Sequence, residues 1–265
     1  MRRMSGVTAA ADGIEQAVRD NSIRLVDVRH AEQYEGGHIP GAASLPLGGL
    51  LEAETPEQIA RLAGEAGVGD GTRAVIYDDA FGALASRVAW ALEYIGHRDV
   101  LLLEETYSGW AAAGRSTGTG GPRGASERHS VSVQPGLLAT ADYLESVMHR
   151  DGTVVLDNRE RLNYLEHHIP GAVSLPYVTL GGEGRILRPP GELGRLLDNR
   201  GVPADAEIIT YCGSVGTLSG LAYYALKSAG RSNARLYAKS FKEWRGLSKP
   251  VETQADANYW DLSAG

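Results

Sequence analysis

The only cysteine of the chain, Cys212, stands where a short apolar run gives way to a glycine-rich turn, in the stretch YCGSVGT. A helical stretch follows this loop, and the first N–H groups of a helix have no partner within it. They would point into a small concave site at the end of the strand, which we call the bowl. Such N–H groups and the helix dipole stabilise a thiolate, the nucleophilic form of cysteine, and lower the pKa of the thiol. The pattern therefore predicts that Cys212 is a nucleophile.

The residues after Cys212 suit the same chemistry. Gly213 and Gly216 allow the backbone to curl tightly, and the hydroxyls of Ser214 and Thr217 can donate to a bound anion or relay a proton. A free cysteine is more often a small buried hydrophobic residue, and that alternative applies to Cys212 as well. The strand end, the glycines and the hydroxyls together favour the catalytic interpretation.

The chain contains the same long pattern twice. The segment DVRHAEQYEGGHIPGAASLPL, which begins at Asp27, matches DNRERLNYLEHHIPGAVSLPY, which begins at Asp157, at a constant offset of 130 residues. The repeat is far longer than one unit of a solenoid, so it indicates a duplicated domain.

The second half of each copy aligns at a larger offset, because four more residues precede it in the second copy. Tyr77 pairs with Tyr211 at an offset of 134 residues, which places Asp78 opposite Cys212. A carboxylate cannot act as a sulfur nucleophile, so we expect a structural first half and a catalytic second half.

Both halves alternate β-branched runs with helical stretches, which predicts an α/β fold. We expect a mainly parallel sheet flanked by helices in each half, with Gly96 and Gly230 as left-handed caps after two of the helices. The expected strands cover residues 24–28, 75–77, 154–156 and 208–211, and the expected helices cover residues 83–95 and 218–229. A segment rich in Gly, Ser and charge separates the halves and indicates a linker. The predicted organisation is an inactive domain at residues 1–118, a linker at 119–134 and a catalytic domain at 135–265.

The composition narrows the classes of partner. The 265 residues carry a formal net charge of −7 and no long basic run, which argues against nucleic acid or an anionic membrane as a partner. No apolar run follows the N-terminal arginines as in a signal peptide, and no stretch approaches the length of a transmembrane helix. One cysteine cannot form an intrachain disulfide or anchor a structural zinc site alone. We therefore expect a cytoplasmic protein with a reduced thiol.

Taken together, these features resemble the tandem-domain rhodanese (sulfurtransferase) family. The block HIPGA occurs in both halves, Trp110 and Trp244 occupy matching C-terminal motifs, and YCGS occurs in the second half alone. The resemblance implies two α/β rhodanese domains with the active site at their interface. It also implies that the loop cysteine takes up sulfur as a persulfide and passes it to cyanide, a thiol or thioredoxin, with no metal or organic cofactor.

The resemblance also bears on the sulfur donor. Thiosulfate enzymes of the family have cationic side chains beside the cysteine, whereas mercaptopyruvate enzymes typically have Cys-Gly-Ser-Gly-Val-Thr. The neutral Cys212-Gly213-Ser214 favours 3-mercaptopyruvate, with thiosulfate possible, and implies a role for Ser214 in protonating the leaving enolate. The implied catalytic residues are Cys212, Ser214 and Thr217. The implied substrate-binding residues are Gly213, Val215, Gly216, Arg159 and Arg161.

The sequence departs from the family pattern at two places near the predicted site. Val215 stands where the loop normally has glycine, and a β-branched residue tolerates positive φ poorly. Asn163 stands where an arginine usually grips the donor, although Arg159 and Arg161 are close by. Arg159 has a second interpretation, an internal ion pair with Asp157, because the first half repeats both residues.

Three other functions are compatible with parts of this pattern. The departures suit a persulfide carrier that is dedicated to one pathway and receives sulfur from a partner protein. A catalytically weak binding module that keeps the fold is a further alternative. A cysteine phosphatase needs an arginine after five intervening residues, and Leu218 at that position argues against it.

Overall fold

The chain folds into two compact units that divide between Pro135 and Gly136. The computed structural model describes residues 6–121 and 125–254. The short stretch Gly184–Ile186 of the second repeat groups with the first unit. Each helix within the described ranges is too short or too polar to cross a bilayer.

The first unit is a parallel sheet with helices between its strands. Its strands are β1 (Thr8–Ala9), β2 (Arg24–Asp27), β3 (Ala43–Ser44), β4 (Ala74–Tyr77) and β5 (Val100–Leu103). Its helices are α1 (Ile14–Arg19), α2 (Ala31–Gly36), α3 (Leu47–Glu52), α4 (Pro56–Glu65), α5 (Ala83–Tyr94) and α6 (Tyr107–Ala112). The strand order is β1-β5-β4-β2-β3, and every pair is parallel.

The second unit repeats this arrangement with one strand fewer in its described part. Its strands are β6 (Thr153–Asp157), β7 (Val173–Ser174), β8 (Glu207–Tyr211) and β9 (Ala234–Leu236). Its helices are α7 (Ala141–Val147), α8 (Arg161–Glu166), α9 (Pro190–Asn199), α10 (Thr217–Ser228) and α11 (Ser240–Gly246), with short 3₁₀ turns at Pro135–Leu137 and Tyr177–Thr179. The order β7-β6-β8-β9 places β8 inside the sheet, and again every pair is parallel.

The predicted α/β class is confirmed, and the expected strands and helices form within a residue or two of their predicted ends. Strand β4 is buried along its whole length, which explains its unbroken apolar character. The glycines after α5 and α10 adopt the left-handed conformation, with φ of 102° at Gly96 and 79° at Gly230. These caps end the helices where the sequence predicts.

A buried ion pair at the end of β6 is hydrogen-bonded to a tyrosine at the end of β8, the strand that leads to the predicted site. Strands β6 and β8 run in parallel register, so Asp157 lies beside Tyr211 at their carboxyl ends. The Arg159 guanidinium donates to both carboxylate oxygens of Asp157, with Nη2 2.5 Å from Oδ2, and the Tyr211 hydroxyl donates to Oδ2 at 2.6 Å. Burial raises the pKa of Tyr211 far above its ordinary value, and the neighbouring carboxylate adds to the rise.

The first unit contains the same ion pair. Arg29 Nη2 lies 2.6 Å from Asp27 Oδ2, and Asp27 is paired in register with Tyr77. Because the arrangement recurs in the half that lacks a cysteine, it belongs to the scaffold of the fold. This supports the ion-pair interpretation of Asp157 and Arg159.

Part of the segment predicted as a linker is bonded to the first unit. The backbone N–H of Glu127 donates to the Gly64 carbonyl, and that of Ser132 donates to the Ile95 carbonyl. Ser130 donates to the Asp70 carboxylate through both its N–H and its hydroxyl. Residues 127–132 therefore pack along the first unit through backbone and side-chain hydrogen bonds.

The ion pair of the second unit yields a stability prediction. Asp157→Ala leaves the guanidinium of Arg159 buried without its carboxylate, so we expect the free energy of unfolding to fall by about 3–5 kcal/mol. Urea-induced unfolding followed by circular dichroism measures the change. Arg61→Ala is the control, because its ion pair with Glu65 is exposed and worth about 0.5 kcal/mol or less. Equal losses in the two variants would contradict the prediction.

Candidate active site

Cys212 lies directly after β8 and is buried, with 2% of its surface exposed. Gly213, Ser214 and Val215 form an exposed turn, and α10 begins at Thr217. The left-handed position of the turn falls on Gly216, with φ of 80°, and Val215 is not among the residues with positive φ. The β-branched side chain therefore causes no backbone strain here.

The groups around the sulfur favour its ionised form. Burial raises the pKa of the Cys212 thiol, but the hydroxyl and N–H of Ser219, the hydroxyl of Ser240 and the N–H of Ser214 favour the thiolate and outweigh burial, so the pKa is lowered. Two of these groups are backbone N–H groups around the start of α10, where helix geometry leaves such donors without partners in the helix.

Ser240 holds the cysteine from the neighbouring strand end. Its Oγ accepts from the Cys212 N–H at 3.1 Å and lies 3.7 Å from the sulfur, and its hydroxyl also reaches the Tyr237 carbonyl at 2.9 Å. Ser240 has a φ of 57°, an uncommon conformation for serine. The next N–H, that of Phe241, donates to the Cys212 carbonyl at 3.0 Å. The first two residues of α11 therefore bind the backbone of Cys212, and Ser240 also contacts its sulfur.

The first unit shows what the same bowl holds when no cysteine is present. Oδ1 of Asp78 accepts from the N–H groups of Ala80 and Gly82 at 3.0 and 2.8 Å. Oδ2 accepts from those of Leu84 and Ala85 at 2.8 and 2.9 Å. Burial raises the pKa of this carboxyl above its ordinary value, and the four N–H bonds oppose that rise without cancelling it. Each carboxyl oxygen accepts two backbone hydrogen bonds, an arrangement that favours the carboxylate form. The bowl of the first unit is filled by an anion of its own chain.

The alignment of the halves relates the two bowls at two donor positions. At an offset of 134 residues, Ala80 corresponds to Ser214 and Ala85 corresponds to Ser219, and the N–H groups of these two serines are the ones that lower the pKa of the Cys212 thiol. The carbonyl of Asp78 accepts from the N–H of Tyr107, as that of Cys212 accepts from Phe241. The second unit therefore presents a thiol in a site built for a negative charge.

The two arginines predicted to bind the donor, Arg159 and Arg161, differ in their surroundings. Arg159 is buried, bonded to Asp157 and to the His167 carbonyl, and stacked over the ring of Phe241 at 4.1 Å. Arg161 begins α8 and is half-buried. The contacts of Arg159 are thus structural, and binding of the sulfur donor by either arginine stays a prediction.

Ser219 and Ser240 are functional candidates that the sequence analysis did not select. Ser219 follows the loop as the third residue of α10, and the sequence signal for it is the contrast with Ala85 in the first unit. Ser240 follows β9, which lies next to β8, so a polar residue there reaches the same edge of the sheet. Neither signal depends on the loop motif itself.

The amide bowl suits an anion rather than a metal ion, because its contacts are hydrogen-bond donors. No group of three or more His, Cys, Asp or Glu side chains within residues 6–121 and 125–254 is placed to hold a metal.

Comparison with known proteins agrees with this architecture. The model of the rhodanese-like domain matches residues 10–113 and 140–247, and the chain belongs to the rhodanese family. The chain is 29% identical to a thiosulfate sulfurtransferase of Pseudomonas aeruginosa, over 83% of this chain and 87% of that protein. It is 32% identical to a probable 3-mercaptopyruvate sulfurtransferase of the same organism, over 84% of this chain and 87% of that protein.

A solved structure has the same fold. The crystal structure of SseA from Escherichia coli, a 3-mercaptopyruvate sulfotransferase, matches with a TM-score of 0.80 and 24% identity, over 89% of this chain and 99% of that one. The tandem rhodanese fold expected from the sequence is thereby confirmed, and the relatives bear the names of sulfurtransferases acting on two different donors.

The lowered pKa of Cys212 yields a prediction for the titration of the thiol. The hydrogen bonds to the sulfur favour the thiolate, so we expect its ultraviolet absorbance to appear with a midpoint below that of an ordinary cysteine. The Cys212→Ser variant supplies the blank, because the chain has one cysteine. A midpoint at or above the ordinary thiol value would show that burial dominates the site.

Proposed function

We propose that the protein is a sulfurtransferase that carries sulfur as a persulfide on Cys212, with 3-mercaptopyruvate preferred over thiosulfate as the donor. The observation that carries the proposal is the anion-filled bowl of the first unit, whose counterpart in the second unit holds a thiol. The sulfurtransferase names of the relatives support the same class of reaction.

The geometry of the first bowl also fits the size of the proposed intermediate. The carboxylate oxygens of Asp78 lie two bonds from its Cβ, and the outer sulfur of a Cys212 persulfide would lie two bonds from its own Cβ. In the first unit four N–H groups converge on atoms at that separation, at 2.8–3.0 Å. Equivalent N–H groups in the second unit would stabilise the negative charge of the outer sulfur.

The first half-reaction forms the persulfide. The Cys212 thiolate attacks the donor sulfur, a new S–S bond forms, and the bond between that sulfur and the rest of the donor breaks. With 3-mercaptopyruvate the C–S bond breaks, its electron pair leaves on the pyruvate enolate, and the carbon then takes up one proton. With thiosulfate the S–S bond breaks and sulfite leaves with the electron pair.

The second half-reaction returns the enzyme to its starting state. A cyanide, a small thiol or a thioredoxin-like protein thiolate attacks the outer sulfur and forms a bond to it. The S–S bond of the persulfide breaks, and its electron pair returns to the Cys212 sulfur as the thiolate. The hydrogen bonds that lower the pKa of this thiol make it a better leaving group in this step.

The preference for 3-mercaptopyruvate depends on the neutral loop and on Ser214. This serine is exposed in the turn, and its N–H contributes to the lowered pKa of the Cys212 thiol. A hydroxyl beside the sulfur can relay the proton that the enolate requires, whereas sulfite leaves without one. The proposal therefore assigns Ser214 a role with one donor only.

The proposal predicts that sulfur transfer depends entirely on Cys212. Cys212→Ser changes one atom, so the fold should persist while turnover falls by about a thousandfold or more. Incubation of the wild-type protein with 3-mercaptopyruvate should add the mass of one sulfur atom to the peptide that contains Cys212. Wild-type transfer by the serine variant, or the absence of that adduct with every small donor, would overturn the proposal.

The assignment of Ser214 predicts a difference between the donors. In Ser214→Ala we expect turnover with 3-mercaptopyruvate to fall about a hundredfold and turnover with thiosulfate to change by only a few-fold. Steady-state kinetics with each donor and cyanide as acceptor measures both values. Ser228→Ala, at the far end of α10, is the control. Equal losses with the two donors would remove the proton-transfer role of Ser214.

A further inference from the structure

Ser219 has a buried hydroxyl that the reaction described above does not use. The residue is fully buried, and its Oγ has no hydrogen-bond partner among the described residues. A buried hydroxyl without a partner costs free energy, so such a group calls for an explanation. Ser219 occupies the position of Ala85, whose N–H bonds to the Asp78 carboxylate at 2.9 Å in the first unit. The Ser219 hydroxyl also contributes to the lowered pKa of the Cys212 thiol, so an ionised sulfur is the acceptor that would suit it.

The first unit provides an internal comparison for this position. Ala85 corresponds to Ser219, and its N–H donates to Asp78 at 2.9 Å, whereas the N–H of Ser219 contributes to the lowered pKa of the Cys212 thiol. The first bowl is complete with four N–H groups and has no hydroxyl at this position. The hydroxyl therefore occurs in the half with a thiol and is absent from the half with a carboxylate, which has alanine there.

The hydroxyl of Ser240 cannot replace that of Ser219. A hydroxyl has one hydrogen, and that of Ser240 has the Tyr237 carbonyl at 2.9 Å as a competing acceptor to the sulfur at 3.7 Å. Ser219 has no such competitor among the described oxygens and nitrogens. Its hydrogen is available to the sulfur alone.

The acceptor strength of sulfur changes during the proposed reaction. A neutral thiol is a weak acceptor, whereas hydrogen bonds to an ionised group are about twice as strong as neutral ones. A hydroxyl that makes no hydrogen bond while the cysteine is a neutral thiol would form one when the sulfur becomes negatively charged. Such a donor stabilises the reactive state more than the ground state, which is the condition for catalysis.

We propose that Ser219 is a catalytic residue whose hydroxyl is reserved as a hydrogen-bond donor to the anionic sulfur of Cys212. The bond forms when the thiol ionises and again when the persulfide transfers its outer sulfur and the thiolate returns. The second part of this role rests on the proposed sulfurtransferase function, whereas the first part concerns the thiolate alone.

The test of this proposal uses Ser219→Ala, which places in the second unit the residue that the first unit already has. We expect the midpoint of the thiolate titration to move upward and the kcat/KM for 3-mercaptopyruvate at neutral pH to fall about tenfold. The loss should shrink as the pH rises, because the thiol then ionises in both proteins. Ser86→Ala is the control, since it removes another fully buried helical hydroxyl in the first unit.

A second pair of variants separates the hydroxyl from the packing of its carbon atoms. Ser219→Thr and Ser219→Val introduce side chains of nearly equal shape, and only threonine keeps the hydroxyl. We expect the threonine variant to ionise its thiol at lower pH than the valine variant. This comparison remains valid if Ser219→Ala is unstable.

The outcomes distinguish this proposal from the function on which it partly rests. An unchanged titration in Ser219→Ala, or identical titrations in the threonine and valine variants, would overturn the role of Ser219 whatever the turnover. The titration needs no sulfur donor, so its upward shift would support the role even if no small donor formed a persulfide on Cys212.

Discussion

The rest of this structure depends on the N–H groups around the start of α5 and of α10, which find no acceptor within their own helix. These donors are buried beside a strand end, and buried donors require an acceptor. The first unit supplies the two oxygens of Asp78, and the second supplies the sulfur of Cys212. The same backbone demand is thus met by a fixed charge in one half and by an ionisable, nucleophilic atom in the other.

The side chains around the loop hold these N–H groups and their acceptor in place. Asp157 binds Arg159 and Tyr211 below the loop, and Ser240 binds the backbone of Cys212 from the neighbouring strand end. The first unit uses the same ion pair, and the N–H of Tyr107 at the start of α6 bonds to the Asp78 carbonyl as that of Phe241 bonds to the Cys212 carbonyl. Since both halves keep these parts, we infer that they maintain the geometry of the bowl, while the chemistry differs by the residue placed inside it.

Much of this could be predicted from the sequence, because it depends on local periodicity and on the internal repeat. The strands, the helices, the glycine caps and the position of Cys212 each follow from short stretches. Ser219 and Ser240 could not be found that way, since their roles depend on which side chains meet in space. Val215 stands where the loop normally has glycine, yet it does not adopt positive φ, because Gly216 takes the left-handed conformation one residue later. A loop motif gives the residue types, but small shifts in the placement of a glycine decide which residue carries the unusual torsion.

The carboxylate of Asp78 has a consequence for stoichiometry. It is tethered to the backbone that surrounds it, so its effective concentration at the four N–H groups exceeds that of any dissolved competitor. Free anions must therefore displace a tethered carboxylate to enter that pocket. Under the proposed function, a chain with two domains of one fold would load one sulfur atom, because the binding site of the other domain is occupied by its own side chain.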